Sequence, residues 1–217
     1  MNKGFVHDAL IIQNIYKMAN SARPFGLKAI RNGGGNVDYN RYEAPASLAS
    51  LGINTPVNKG TTSNSLNQTA EGQLSAAGTL GTIAVATGGD GNKLLGSIVG
   101  FEVLPTDLFK AGYNAASTRR TVFVADSKDQ EFAVVDDGVG TLAVTDVGLN
   151  ANLTMGTVNA VTHVDSSSLD TTTPATDATF QLKILGLYDT PGNEVAAYAT
   201  WRVKINNHVN ANIVTGV

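Results

Sequence analysis

The stretch TFQLKILGLYDTPGNEVAAYATWRVKINNH at residues 179–208 decides the predicted fold. It contains two segments in which apolar and polar residues alternate, and the turn sequence Asp-Thr-Pro-Gly-Asn at 189–193 separates them. Because successive side chains of a strand point to opposite faces, a period of two predicts one buried face and one solvated face. The stretch therefore predicts a β-hairpin that carries almost no chemistry.

The apolar positions of this hairpin define its buried face. They are Phe180, Leu182 and Ile184 in the first segment, and Val195, Ala197, Ala199, Trp201, Val203 and Ile205 in the second. Among them we expect Trp201, Val203, Ile205, Leu182 and Ile184 to form the structural core. Trp201 and Tyr198 could instead stack on a sugar, but Trp201 shares its face with Val203 and Ile205, which favours a core position.

The rest of the chain repeats short apolar clusters between turn signals, which is typical of sandwiches and barrels. The clusters lie at 83–86, 98–104, 122–125, 132–135 and 142–144. Residues 88–92 and 127–130 are predicted to be hairpin loops between successive clusters. The polar stretches 58–73 and 165–177 have too few apolar residues for core strands, so we expect loops over the surface.

These patterns predict an all-β protein with two sandwich-like or barrel-like halves. An extended arm at 1–30 precedes an N-terminal β domain at 31–110 and a C-terminal β domain at 111–217. One short N-terminal helix could begin at Asp8, and a helical turn could form at 105–109.

The composition excludes several classes of protein. The 217 residues include no cysteine, so disulfides and thiol nucleophiles are excluded, and folding in a reducing cytoplasm is favoured. The net charge of −3 argues against nucleic acid as a partner, and no apolar run is long enough to span a membrane as a helix. A low charged fraction of 15% leaves much neutral surface, which suits a protein that packs against neighbours.

Residues with catalytic potential do not form a recognisable motif. His7, His163 and His208 are far apart and lack metal-binding spacing. Asp136 and Asp137 are adjacent at the end of a predicted strand, where neighbours point to opposite faces, so a turn before Gly138 explains them better than an acid/base pair.

Three further patterns have ordinary structural explanations. Serines 166–168 lie near His163 and Asp165 but lack a nucleophile elbow. The glycine-rich segments 33–35 and 88–93 lack the phosphate-loop spacing. Two groups of acidic residues lack the spacing of a calcium-binding loop. The first group is Asp126, Asp129 and Glu131, and the second is Asp165 with Asp170. We expect no catalytic residue, no cofactor and no metal.

Four segments in order resemble the capsid decoration, or cement, proteins of tailed bacteriophages of the marine and cyanophage type. MANSARPFGLKAIR at 18–31 resembles their opening, and GSIVGFEV at 96–103 resembles their central strand. TLAVTDVGLNANL at 141–153 and the block from 169 to 208 are similar to their C-terminal signature. The similarity covers most of residues 18–210 and includes no catalytic motif.

The resemblance implies a structural protein of the virion that is not an enzyme. It would be made in the cytoplasm of the host bacterium and bind the outer surface of the phage head, where it stabilises contacts between major capsid subunits. Its partners would be the phage major capsid protein and itself, as a trimer or dimer, with no nucleic acid and no membrane.

The arm supplies the residues that we expect at the interface. Arg23, Pro24, Phe25 and Leu27 are predicted to contact the capsid or another copy, because an extended segment can add to an exposed sheet edge. Alternatively, they only close their own domain. The competing functional hypothesis is a virion surface adhesion module that binds host glycans.

Overall fold

The computed structural model describes residues 20–33, 35–64, 75–103 and 112–210. Within these ranges the chain forms twelve strands and one 3-10 turn, so the all-β prediction is confirmed. The strands are β1 (Lys28–Asn32), β2 (Asn40–Ala44), β3 (Pro56–Ser63), β4 (Gly81–Val85), β5 (Gly96–Phe101), β6 (Arg120–Ala125), β7 (Gln130–Val135), β8 (Asn150–Ala151), β9 (Leu153–Thr154), β10 (Ser168–Leu169), β11 (Leu182–Leu187) and β12 (Thr200–Ile205). The 3-10 turn spans Val144–Asp146.

Five strands close into a barrel in the order β2-β4-β3-β5-β6. β2 pairs antiparallel with β6 and parallel with β4, and these two contacts join the ends of the sheet. Closure leaves no unpaired edge among these strands. The barrel interior holds Ala44, Leu51, Val57, Ile83, Leu95, Ile98, Val122 and Val124.

The remaining long strands form a sheet in the order β1-β7-β12-β11-β8, and β9 pairs with β10 in a short ribbon. Leu182, Ile184, Trp201, Val203 and Ile205 lie on its inner face and are each at most 6% exposed. Their burial follows the alternation of the sequence, because these positions are two residues apart on paired strands. The outer face carries the polar residues of the same alternation, including the ion pair of Arg31 with Glu131 at 2.9 Å.

The sheets do not divide at the predicted boundary of 110 and 111. β6 follows that boundary but belongs to the barrel, whereas β1 begins within the predicted arm and pairs with β7 in the second sheet. Residues 127–130 therefore connect the barrel to the sheet instead of forming a hairpin. Residues 88–92 are no hairpin loop either, because β4 and β5 both pair with β3.

Two predicted surface loops are partly built into the fold. Residues 58–63, predicted to be a loop, belong to β3, whose side chains near its end are exposed, and residues 65–73 lie outside the described part. The stretch 165–177 includes β10, and Asp165, Ser167, Ser168 and Thr171 within it are buried, with the Asp165 carboxylate accepting from the Ser167 N–H. Leu142 is buried, but the cluster 142–144 continues into the 3-10 turn instead of a strand.

The connection between β11 and β12 is longer than a tight hairpin turn. The alternation predicts strand conformation from Val195 onward, yet β12 begins only at Thr200. Tyr198 has a φ of 61°, which interrupts an extended strand at this position. The predicted helices near Asp8 and at 105–109 lie outside the described residues.

The barrel interior and the sheet core are two separate apolar clusters, and the sheet core includes residues from the barrel region. Ala86, Leu94 and Ala125 come from the barrel region and pack in the same cluster as Trp201. The 3-10 turn is too short to span a membrane, and the described residues contain no other helix that could do so.

Candidate interaction surface

A buried carboxylate organises the loops at one end of the sheet. Asp136 follows β7 directly and is 1% exposed. Its Oδ1 accepts hydrogen bonds from the backbone N–H groups of Gly138 at 3.1 Å and Tyr198 at 2.6 Å. Its Oδ2 accepts from the backbone N–H of Ala199 at 3.0 Å and from the indole Nε1 of Trp201 at 3.1 Å. One side chain therefore fixes the loop after β7 against the loop before β12.

Opposing effects act on the pKa of Asp136. Burial raises the pKa of its carboxyl, whereas the hydrogen bonds from Trp201, Tyr198, Gly138 and Ala199 lower it, and burial has the larger effect. The four donors supply the hydrogen bonds that water would otherwise provide to the carboxylate. Their arrangement fits a structural anchor.

Asparagine side chains complete the arrangement of the loop before β12. The Asn193 amide donates to the carbonyls of Tyr188 and Thr200 at 2.7 and 2.8 Å, and its Oδ1 accepts from the Thr200 N–H at 2.9 Å. Asn20 donates to the carbonyl of Glu194 at 2.8 Å, which joins the first described residues of the chain to this loop.

We call residues 20–23, 137–140 and 189–198 the loop surface. Asn20 joins its first segment to its third, and Gly138 lies directly against the ring of Tyr198, which joins its second segment to its third. Two large apolar side chains on it face solvent, with Val139 76% and Val195 40% exposed. Apolar side chains held on rigid loops suit contact with another protein.

The predicted interface residues of the arm divide into two groups. Arg23 is exposed on the loop surface, and Pro24 and Phe25 are half-buried. Leu27 is fully buried in the core of the sheet. Leu27 therefore packs into its own fold, Arg23 is exposed, and contact of these residues with a capsid or another copy stays a prediction.

Gly26 explains why the arm turns into the fold at this point. Its φ is 75°, and a Cβ atom there would lie 2.5 Å from the carbonyl oxygen of Asn54. Asn54 also donates from its side chain to the Phe25 carbonyl and accepts from the Leu27 N–H. The backbone of residues 25–27 is thus fastened to the barrel.

The two described histidines lie in structural surroundings. The ring of His163 stacks on Tyr113 with centroids 4.0 Å apart. His208 is buried, its Nδ1 accepts from the Asn210 N–H at 3.0 Å, and burial lowers its pKa. His7 lies outside the described residues.

The described side chains show no catalytic arrangement around the serines. The Ser166 hydroxyl donates to the Thr157 carbonyl, and the Ser167 hydroxyl accepts from the Gly156 N–H. Asp165 accepts from the Ser167 backbone N–H. Across residues 20–33, 35–64, 75–103 and 112–210, no group of three or more His, Asp or Glu side chains is placed to hold a metal ion.

A polar cavity of about 520 Å³ lies at the barrel end near residue 126. Asp38, Tyr39, Asn40 and Asp126 line it. Asp126 accepts from Asn40 at 2.9 Å and from the Tyr42 hydroxyl at 2.6 Å. Burial and this hydrogen bond raise the pKa of Tyr42.

Sequence reasoning missed the role of Asp136. It correctly indicated a turn before Gly138, whose φ is 65°. The available signal was an Asp-Asp-Gly sequence directly after a strongly apolar strand. That signal does not identify the four donors, because two lie in a loop more than sixty residues later.

Comparison of the chain with protein-family models, curated proteins and solved structures found no match.

Proposed function

We propose that the chain is a capsid decoration protein of a tailed bacteriophage. In this role it binds the outer surface of the head, as a component of the virion, and stabilises contacts between major capsid subunits. The observation that supports the proposal most is the loop surface, where a buried carboxylate holds exposed apolar residues next to the first described residues of the chain.

The architecture suits a mechanical role. Packaged DNA presses outward on a capsid, and a protein that bridges two subunits must transmit force without deforming. Here the barrel has no free edge, and Ala86, Leu94 and Ala125 of the barrel region pack into the core of the sheet. A clamp built this way resists separation through buried interface area, and many copies on one shell add avidity. The proposal includes self-association as a trimer or dimer around a symmetry axis of the capsid.

Binding of the purified protein to phage heads that lack it tests this proposal. We expect the purified wild-type protein to bind such heads to saturation. The variants Val139→Asp and Val195→Asp should each bind at least about tenfold more weakly, since each places a charge in an apolar contact. Val161→Asp is the matched control, because Val161 is exposed elsewhere, on the turn before His163. Equal binding by all variants would reject the loop surface, and no binding by the wild-type chain would reject the function.

A host-glycan adhesion module is the second candidate, and one observation favours it. The polar cavity combines the exposed ring of Tyr39 with the carboxylates of Asp38 and Asp126. Aromatic faces and carboxylates are the groups that stack on sugar rings and bind their hydroxyls. Binding to a glycan array that Tyr39→Ala abolishes would support adhesion, and an array without signal would reject it.

A further inference from the structure

The first edge of the sheet carries an apolar groove bordered by positive charge. β1 is paired on one side only, with β7, and the side chains of Lys28 and Arg31 on it are exposed. Between β1 and the barrel lies a groove of about 300 Å³. Its lining includes Lys28, Ala29, Val37, Tyr39 and Val99. We call this the groove edge.

The opposite edge of the same sheet carries an apolar projection that includes an acidic residue. The 3-10 turn Val144–Asp146 leads into β8, and the Gly148 N–H donates to the carbonyl of Ile184 in β11. Val144 is 72% and Val147 is 40% exposed. Asp146 lies between them and accepts from the Ala143 N–H at 2.7 Å, which fixes the turn. We call residues 143–147 the turn edge.

The charges around the two edges are complementary. Asp146 lies on the turn edge, and Asp170 and Asp177 flank the segment that pairs with Asn150 of β8. The groove edge, by contrast, presents Lys28 and Arg31, and only Arg31 has an ion-pair partner among the described residues.

We infer that the groove edge of one copy receives the turn edge of a second copy, with Val144 and Val147 against the groove and Asp146 near Lys28. Apolar character and charge both agree with this occupant, because Val144 and Val147 are exposed and Asp146 is acidic. Because the two edges lie on opposite sides of one sheet, the contact is head-to-tail, and such contacts generate rings when the rotation closes. The inference deepens the self-association that the proposed function includes, and it names the surfaces.

Charge reversal tests the inference in solution without capsids. The wild-type chain should self-associate at protein concentrations of about 0.1 mM or below, as measured by sedimentation equilibrium. Lys28→Glu and Asp146→Lys each weaken association by about tenfold or more, because each places like charges in contact. The double variant Lys28→Glu/Asp146→Lys restores it, since every junction again joins opposite charges. Lys59→Glu on β3 makes the same charge change away from both edges and leaves association unchanged.

Disulfide trapping tests the orientation, because the chain contains no cysteine. A mixture of Tyr39→Cys and Val144→Cys chains crosslinks between the two variants under oxidation, whereas each variant alone stays uncrosslinked. Crosslinking of one variant to itself shows a two-fold interface and overturns the inference. A monomeric wild-type chain, or a double variant without recovery, overturns it as well. A wild-type chain that is monomeric yet binds heads rejects this interface and the self-association in the proposed function, and it leaves the head-binding role intact.

Discussion

Trp201 donates from its indole Nε1 to the carboxylate of Asp136 at 3.1 Å, across 65 positions of sequence. Trp201 lies at the centre of the sheet core, and Asp136 lies where β7 ends. The bond therefore links the core to the loop surface. Asp136 also accepts hydrogen bonds from the backbone N–H groups of Tyr198 and Ala199. The loop after β7 and the loop before β12 therefore depend on one buried side chain.

Replacing Asp136 with Asn should destabilise the protein. The Asn amide can accept at Oδ1 only, so its NH₂ group would face two of the present donors. We expect a loss of about 1–3 kcal/mol in the free energy of unfolding, measured by urea denaturation with Trp201 fluorescence. Asp137→Asn is the matched control, because Asp137 is the less buried neighbour. Equal stability of the wild-type and Asp136→Asn chains would show that the carboxylate is not an anchor.

Replacing Trp201 with Phe should weaken the same network more selectively, since it removes the Nε1 donor and keeps an aromatic ring in the core. The free energy of unfolding should fall by about 1–3 kcal/mol, measured by urea denaturation with circular dichroism because Trp201 is the only tryptophan. Combined with Asp136→Asn, the loss should be smaller than the sum of the single losses, because the two residues contact each other. Strict additivity in this double-mutant cycle would contradict the coupling.

Gly26→Ala should detach the arm from the barrel. The position has a φ of 75°, and the added Cβ would meet the Asn54 carbonyl, so both backbone strain and overlap oppose the substitution. We expect a loss of about 1–3 kcal/mol and faster proteolysis before Leu27. Gly78→Ala separates the two effects, because its φ is 82° and a Cβ there meets nothing within 4 Å. A smaller loss for Gly26→Ala than for Gly78→Ala would contradict this account.

Stability should fall as the pH decreases below about 6.5, the ordinary pKa of histidine. Burial lowers the pKa of His208 in the folded chain, and the nearby Asp126 opposes that shift. The unfolded chain therefore takes up a proton at His208 before the folded chain does, which favours unfolding. His208→Gln should lose this part of the pH dependence. Identical slopes for both chains in unfolding experiments between pH 7.5 and 5.5 would contradict the assignment.

The sequence predicted the all-β class and the buried face of β11 and β12, because alternation is a local signal. It left open whether each half is a sandwich or a barrel, since β2 meets β6 only after about eighty intervening residues. Asp136 was explained only as a turn residue for the same reason: its donors are distant in sequence. The prediction of a surface loop at 165–177 was wrong for its first part, because backbone N–H groups donate to the buried side chains of Asp165 and Ser167, which composition alone assigns to the surface.

The most direct test of the central claim is a pair of cryo-EM maps of phage heads, one with the gene for this chain and one without it. We predict extra density on the outer surface of the first map, shaped as one barrel and one adjoining sheet, with the loop surface against the shell. Heads with identical outer surfaces in the two maps would contradict the claim.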